Sequence, residues 1–168
     1  MRFTRVLVVG CAVVALLGAC GDDDDDSGTD DADTSETDAG SEVDDTAITL
    51  SVEDFSGATE VPGPGDPDAS GTVERLEIVG DELCVTFAVA NLDDPATAAH
   101  LHAGEAGVAG DPVVNFGAPA DAAAGSWDTC AAIDSTVAND VETNPTGYYL
   151  NVHTATYQAG AARAQLTG

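Results

Sequence analysis

The chain has 168 residues, a formal charge of -27, and four basic side chains against 31 acidic ones. Nucleic acid is bound by clusters of Lys and Arg that displace counterions, so this composition argues against a nucleic-acid partner, and anionic lipid head groups are equally unfavourable. Length sets a second bound: once the N-terminal segments are set aside, residues 47–168 suffice for one domain with one core and are too few for two.

The first segment in chain order carries Arg2 and Arg5, an apolar run from Val6 to Leu17, and then Leu17-Gly18-Ala19-Cys20. That is the layout of a signal peptide over residues 1–19, with an apolar stretch too short to span a bilayer stably. The small pair before Cys20 resembles the lipobox of bacterial lipoproteins, in which the cysteine thiol accepts a diacylglyceryl group and becomes the first mature residue. A plain secretory peptide cleaved near Ala19 is the competing interpretation. The expectation is lipidation at Cys20, a membrane anchor, and a location on the extracytoplasmic face of the cell envelope.

Residues 20–46 follow, with the aspartate run Asp22 to Asp26 and a Ser/Thr/Asp-rich stretch to Thr46. This segment holds almost nothing that fills a core, so it is expected to stay solvated and disordered as a tether. As a flexible coil it holds a domain on the order of 30 Å from the lipid, and like-charge repulsion extends it. The aspartates lack the Gly-punctuated spacing of a calcium loop. Loss of Arg2 and Arg5 with the signal peptide leaves Arg75 and Arg163 as the mature chain's only basic side chains.

Beyond the tether, strand-like runs recur between Gly, Pro, Asn and Asp clusters, and helical periodicity is weak. The expected strands are Ile48 to Phe55, Thr72 to Val79, Glu82 to Asn91, Ala98 to Ala103, Val113 to Phe116, Ser126 to Ile133, Tyr148 to Thr154 and Ala161 to Leu166. About eight short strands predict an all-β Greek-key sandwich or barrel. Gly80-Asp81 joins two of them as a tight hairpin, and Val137 to Asn144 reads as a short helical turn before Pro145. Alternation places Leu83, Val85, Phe87 and Val89 on one face, and Leu150 and Val152 on the core face of theirs. The same rule sends His100 and His102 outward around Leu101, and Tyr149, Asn151 and His153 outward together. Of four cysteines, Cys11 leaves with the signal peptide and Cys20 takes lipid, so Cys84 and Cys130 are expected to form a disulfide in an oxidising compartment.

Four segments carry a further signal: Phe55-Ser56-Gly57-Ala58-Thr59-Glu60-Val61-Pro62, Ala98-Ala99-His100-Leu101-His102-Ala103-Gly104, Asp111-Pro112-Val113-Val114, and Tyr148-Tyr149-Leu150-Asn151-Val152-His153-Thr154. In order and spacing they resemble the CHRD domain, named for its repeats in chordin. A weaker tail, Arg163-Ala164-Gln165-Leu166, departs from the family's Ile-Arg-Gly-Gln-Leu, with Ala162 and Ala164 in the Ile and Gly places. The resemblance implies an immunoglobulin-like β-barrel with limited similarity to copper/zinc superoxide dismutase. It also implies protein interaction outside the cell, without naming a partner or an activity.

Three histidines, His100, His102 and His153, are all that the chain contains. Residues i and i+2 of a strand project side by side, so two imidazoles can reach one metal ion at about 2.0 Å with a third from another strand. Imidazole suits copper and zinc. The competing role is hydrogen bonding to carbonyls or carboxylates that organises the outer face. Three functions remain open: a membrane-anchored CHRD binding module that coordinates a transition metal, a copper-dependent redox enzyme of dismutase-like type, and a structural or protein-interaction lipoprotein. Enzyme chemistry is the weaker expectation, because no fourth histidine exists and the Cys84/Cys130 pair does not match the dismutase bridge. Arg163 is the candidate partner for an anion or a carboxylate, or a cation stacked on a ring. Trp127 and Tyr148 read as packing residues, and Glu60 is left open between ordering a turn and meeting Arg163.

Overall fold

The computed structural model describes residues 46–122 and 125–168. The expected signal peptide, Cys20 and the tether through residue 45 lie outside the described residues. Among the described residues ten strands form one antiparallel, nearly closed, barrel-like sheet: β1 (Ile48–Thr49), β2 (Ser51–Val52), β3 (Phe55–Ser56), β4 (Ser70–Val79), β5 (Glu82–Ala90), β6 (Ala96–Ala103), β7 (Pro112–Gly117), β8 (Ser126–Ala132), β9 (Tyr148–Thr154) and β10 (Ala162–Thr167). Eight of them run in the order β7-β6-β9-β10-β3-β4-β5-β8, with β1 added to β4 and β2 to β10. The all-β expectation holds. No helix among the described residues is long and apolar enough to cross a membrane.

The strand expected from Ile48 to Phe55 is divided into three, and the pairing explains why. Ile48 pairs with Ile78 of β4, Val52 then pairs with Leu166 of β10, and Phe55 returns to Gly71 of β4. The segment passes between the two halves of the sheet and joins them, so no single partner keeps it regular. At the two outer edges, Trp127 of β8 donates its indole N–H to the Gly117 carbonyl at the end of β7, at 3.2 Å. Its ring stacks on Phe87 at 4.8 Å. Trp127 is therefore packing that also ties the barrel's two open edges.

Period-two alternation sets the interior. Leu83, Val85, Phe87 and Val89 are buried, as are Leu101, Leu150, Val152, Ala162, Ala164 and Leu166 from the neighbouring strands. The hairpin between β4 and β5 turns through Gly80, whose φ is 59°, and a positive φ at the first central residue is the position glycine serves in a type II′ turn. The helical turn expected from Val137 is a helix, α1 (Ser135–Thr143), that begins two residues earlier. Asp134 caps it by accepting the Thr136 N–H at 2.8 Å, and Pro145 follows its end.

Cys84 and Cys130 face each other in the β5–β8 register and are bonded, with Cα atoms 4.0 Å apart. The bridge fastens an edge strand, β8, to the sheet across 46 residues of chain. A closed loop of that length stabilises by about 4 kcal/mol in the chain-entropy model. The double variant Cys84→Ala/Cys130→Ala should therefore lose about 3 to 4 kcal/mol in urea unfolding. A loss below about 1 kcal/mol would show that the bridge adds little to the pairing already present.

Candidate metal centre

The site lies on the outer face of β6, β9 and β10. In the β6–β9 register, Leu101 pairs with Leu150 and Ala99 with Val152, and all four are buried inside. The alternate pairs therefore face out: His102 with Tyr149, His100 with Asn151, and Ala98 with His153. His153 thus sits one step diagonal to His100. On the far side of β9, Arg163 pairs with Asn151 and Gln165 with Tyr149. The outward alternation read from sequence is correct, but this outer face is roofed by loops. His102 is only 7% exposed and Asn151 and Tyr149 are buried, while His100 and His153 are half-buried.

The three imidazoles converge. Each offers a ring nitrogen, and the three nitrogens lie within 4.8 Å of one another. Backbone carbonyls assign two tautomers. His102 Nδ1 lies 2.8 Å from the Gly110 carbonyl, and His153 Nδ1 lies 3.1 Å from the Gln158 carbonyl. A carbonyl only accepts, so both Nδ1 atoms carry the proton and both Nε2 atoms present lone pairs. His100 Nδ1 lies 3.0 Å from His153 Nε2, so His100 is the donor of that pair. The Nε2 lone pair of His102 is buried with no hydrogen-bond partner among the described residues.

Burial disfavours the protonated form of all three rings. Burial is the main cause that lowers the pKa of His153 to about 4, with His100 and His102 adding repulsion against its protonation. Burial also lowers His100, with help from His102. It lowers His102 as well, and Arg163 opposes protonation further, although the Gly110 carbonyl works the other way. Neutral imidazole is the form that binds metal.

The described site is the stretch where the sequence is most specific, and residues 52–166 match the CHRD domain. The chain belongs to the CHRD domain family. No curated protein and no solved structure matches it. Within this CHRD domain the outer face also holds Arg163 and Glu60, whose parts the sequence left open between alternatives. Arg163 is 2% exposed, so its guanidinium forms no exposed anion-binding spot. Its hydrogen-bond partners are also not carboxylates: it donates to the carbonyls of Val108 at 2.9 Å and Glu105 at 2.7 Å and to Gln165 Oε1 at 2.7 Å. It stacks over the Tyr149 ring at 3.5 Å, which is the ring-stacking alternative. Arg75, the other arginine among the described residues, pairs with Asp128 at 3.1 Å across β4 and β8.

Glu60 settles into the turn rather than onto Arg163. It is 6% exposed; one carboxylate oxygen accepts the Val61 N–H at 3.0 Å and the other accepts from Asn151 Nδ2 at 2.6 Å. Gly160 makes room for it, since a Cβ there would lie 2.4 Å from the carboxylate. Burial pushes the Glu60 pKa above its ordinary 4.5, against the two hydrogen bonds and the more distant Arg163 charge. The folded chain therefore holds this proton more tightly than the unfolded chain. Stability assignable to Glu60 falls as pH rises from 4.5 through the raised value, and then levels. Glu60→Gln removes that titration, so the stability of the variant relative to the parent should climb across the same window in paired urea unfolding curves. A difference that stays flat with pH would contradict a costly buried carboxylate.

Proposed function

We propose that the chain is a membrane-anchored CHRD binding module on the extracytoplasmic face of the cell envelope, which coordinates one copper or zinc ion through His100, His102 and His153. The observation that carries the metal reading is the buried, unpartnered Nε2 of His102 beside two other imidazole nitrogens. A buried acceptor without a partner is costly, and a cation at the focus of the three rings would satisfy it. The donor set fits such an ion: three neutral nitrogens suit copper and zinc better than calcium or magnesium, which prefer oxygen.

The spread of the donors sets what binding requires. Bonds of about 2.0 Å bring ligand nitrogens on one ion to roughly 3.3 Å apart in a tetrahedral site. The His100–His153 pair is already near that spacing, and the widest pair must close by on the order of 1 Å, which side-chain torsions supply. Moving the His100 proton from Nδ1 to Nε2 gives Nδ1 a lone pair and releases the His153 Nε2 lone pair that now accepts from it. The ion would supply Lewis-acid or redox chemistry according to its identity.

Support for the anchor comes from sequence: the Leu17-Gly18-Ala19-Cys20 motif and the acidic stretch that follows it. A protein ligand outside the cell is the partner class implied by family membership. Two experiments test the proposal. Competition titration of the full chain with copper and zinc should give micromolar or tighter binding, and His102→Ala should weaken it by more than the 10- to 100-fold typical of losing a group that only orients a ligand. Unchanged affinity in His102→Ala would remove the metal from the account. Separately, Cys20→Ala should move the chain from the membrane to the soluble fraction; retention on membranes would contradict lipid anchoring.

A further inference from the structure

Across β6, β9 and β10 three side chains form one stack. Tyr149 of β9 lies against His102 of β6, with ring centroids 5.0 Å apart and planes 19° from parallel. Arg163, from β10 on the other flank, covers Tyr149 at 3.5 Å. The guanidinium is fully buried, yet in a chain with 31 acidic residues its hydrogen bonds go to the Gln165 side-chain oxygen and to the backbone of one loop. Nη1 takes the Val108 carbonyl, and Nη2 takes the carbonyls of Glu105 at 2.7 Å and Gly104 at 3.5 Å. Gln165 adds a bond to the Gly104 carbonyl at 3.2 Å.

That loop ends at Gly110, and Gly110 is where it meets the metal centre. Its carbonyl accepts from His102 Nδ1, and its N–H donates to the Tyr149 hydroxyl at 3.2 Å. A Cβ on Gly110 would fall 1.5 Å from the Ala103 carbonyl oxygen, so the loop closes tightly back onto the end of β6 at this point. Arg163 and Tyr149 thus hold both the ring of His102, by stacking, and the acceptor that fixes its proton, through the loop.

We propose that Arg163 is a positioning residue for the histidine site: by stacking on Tyr149 and gathering the 104–108 carbonyls, it holds Gly110 where its carbonyl keeps His102 protonated on Nδ1 and its Nε2 free. The proposal rests on the reading of the three histidines as a metal site. A planar fork with five donors is what the arrangement uses; a lysine ammonium keeps the charge but cannot span these carbonyls while lying flat on a ring. Groups that orient a metal-binding imidazole through its second nitrogen typically affect affinity 10- to 100-fold when lost.

The test compares the full chain with Arg163→Lys and Tyr149→Phe, the latter keeping the stack while removing the hydroxyl that accepts from Gly110. Nitrogen-15 NMR of the metal-free imidazoles reads the tautomers, and competition titration reads copper and zinc affinity. Arg163→Lys should lower the Nδ1–H population of His102 while leaving His153 on Nδ1–H, and should weaken metal binding by about 10- to 100-fold. Tyr149→Phe should shift the His102 tautomer in the same direction, and carries the test alone if the lysine variant does not fold. An unchanged His102 tautomer in a folded variant would overturn the proposal even if the parent binds metal tightly. A shifted tautomer in a chain that binds neither copper nor zinc would uphold the positioning and sink the metal reading.

Discussion

The register between β6 and β9 is the constraint on which the site depends. Side chains alternate along a strand, so a slip of one residue would send His100 and His102 into the barrel and Leu101 out of it. The core prevents this: Leu101 against Leu150 and Ala99 against Val152 are buried, and only this pairing hides all four. Apolar packing inside thereby fixes which polar groups meet outside. The convergence of His153 with the two β6 histidines is a consequence of the same ladder, because His153 stands opposite Ala98 rather than opposite His100.

The second determinant is the cover over that outer face. A solvated sheet face would leave its histidines to titrate at ordinary values and its arginine to pair with any passing carboxylate. Here the loops bury His102, Asn151, Arg163 and Glu60, and burial is the leading cause of the shifted protonation of Glu60, Arg163 and the three histidines. Under the proposed metal reading, the acidic chain and the neutral nitrogen donors would divide the task of capturing a cation. A large negative charge concentrates cations near the surface without discriminating among them, whereas imidazoles favour copper and zinc.

Much of this was legible from residues. The hairpin at Gly80-Asp81, the buried face of β5, the outward histidines and the Cys84–Cys130 bridge all follow from local rules of alternation, turn chemistry and cysteine pairing. What was not legible depends on contacts distant in sequence. The division of Ile48 to Phe55 among three short strands reflects two partners, β4 and β10, that no local pattern announces. The burial of Arg163 is of the same kind. A lone arginine in an acidic chain points to a carboxylate partner or to stacking on a ring, and nothing local shows that residues 104–108 will turn their carbonyls toward it. Gly104 and Gly110 were the available hint, since two glycines flanking a short loop mark a close backbone approach. Glu60 was noticed as part of a motif, but its partner Asn151 is 91 residues away.

The central claim is that imidazoles from two neighbouring strands meet on one ion. Anomalous X-ray diffraction from crystals of the copper- or zinc-loaded chain, collected on either side of the metal's absorption edge, tests it most directly. The account predicts a single strong peak with nitrogen atoms of His100, His102 and His153 each about 2.0 Å away. A peak held by carboxylates, or one that touches a single histidine while the other two keep their hydrogen bonds, would contradict it.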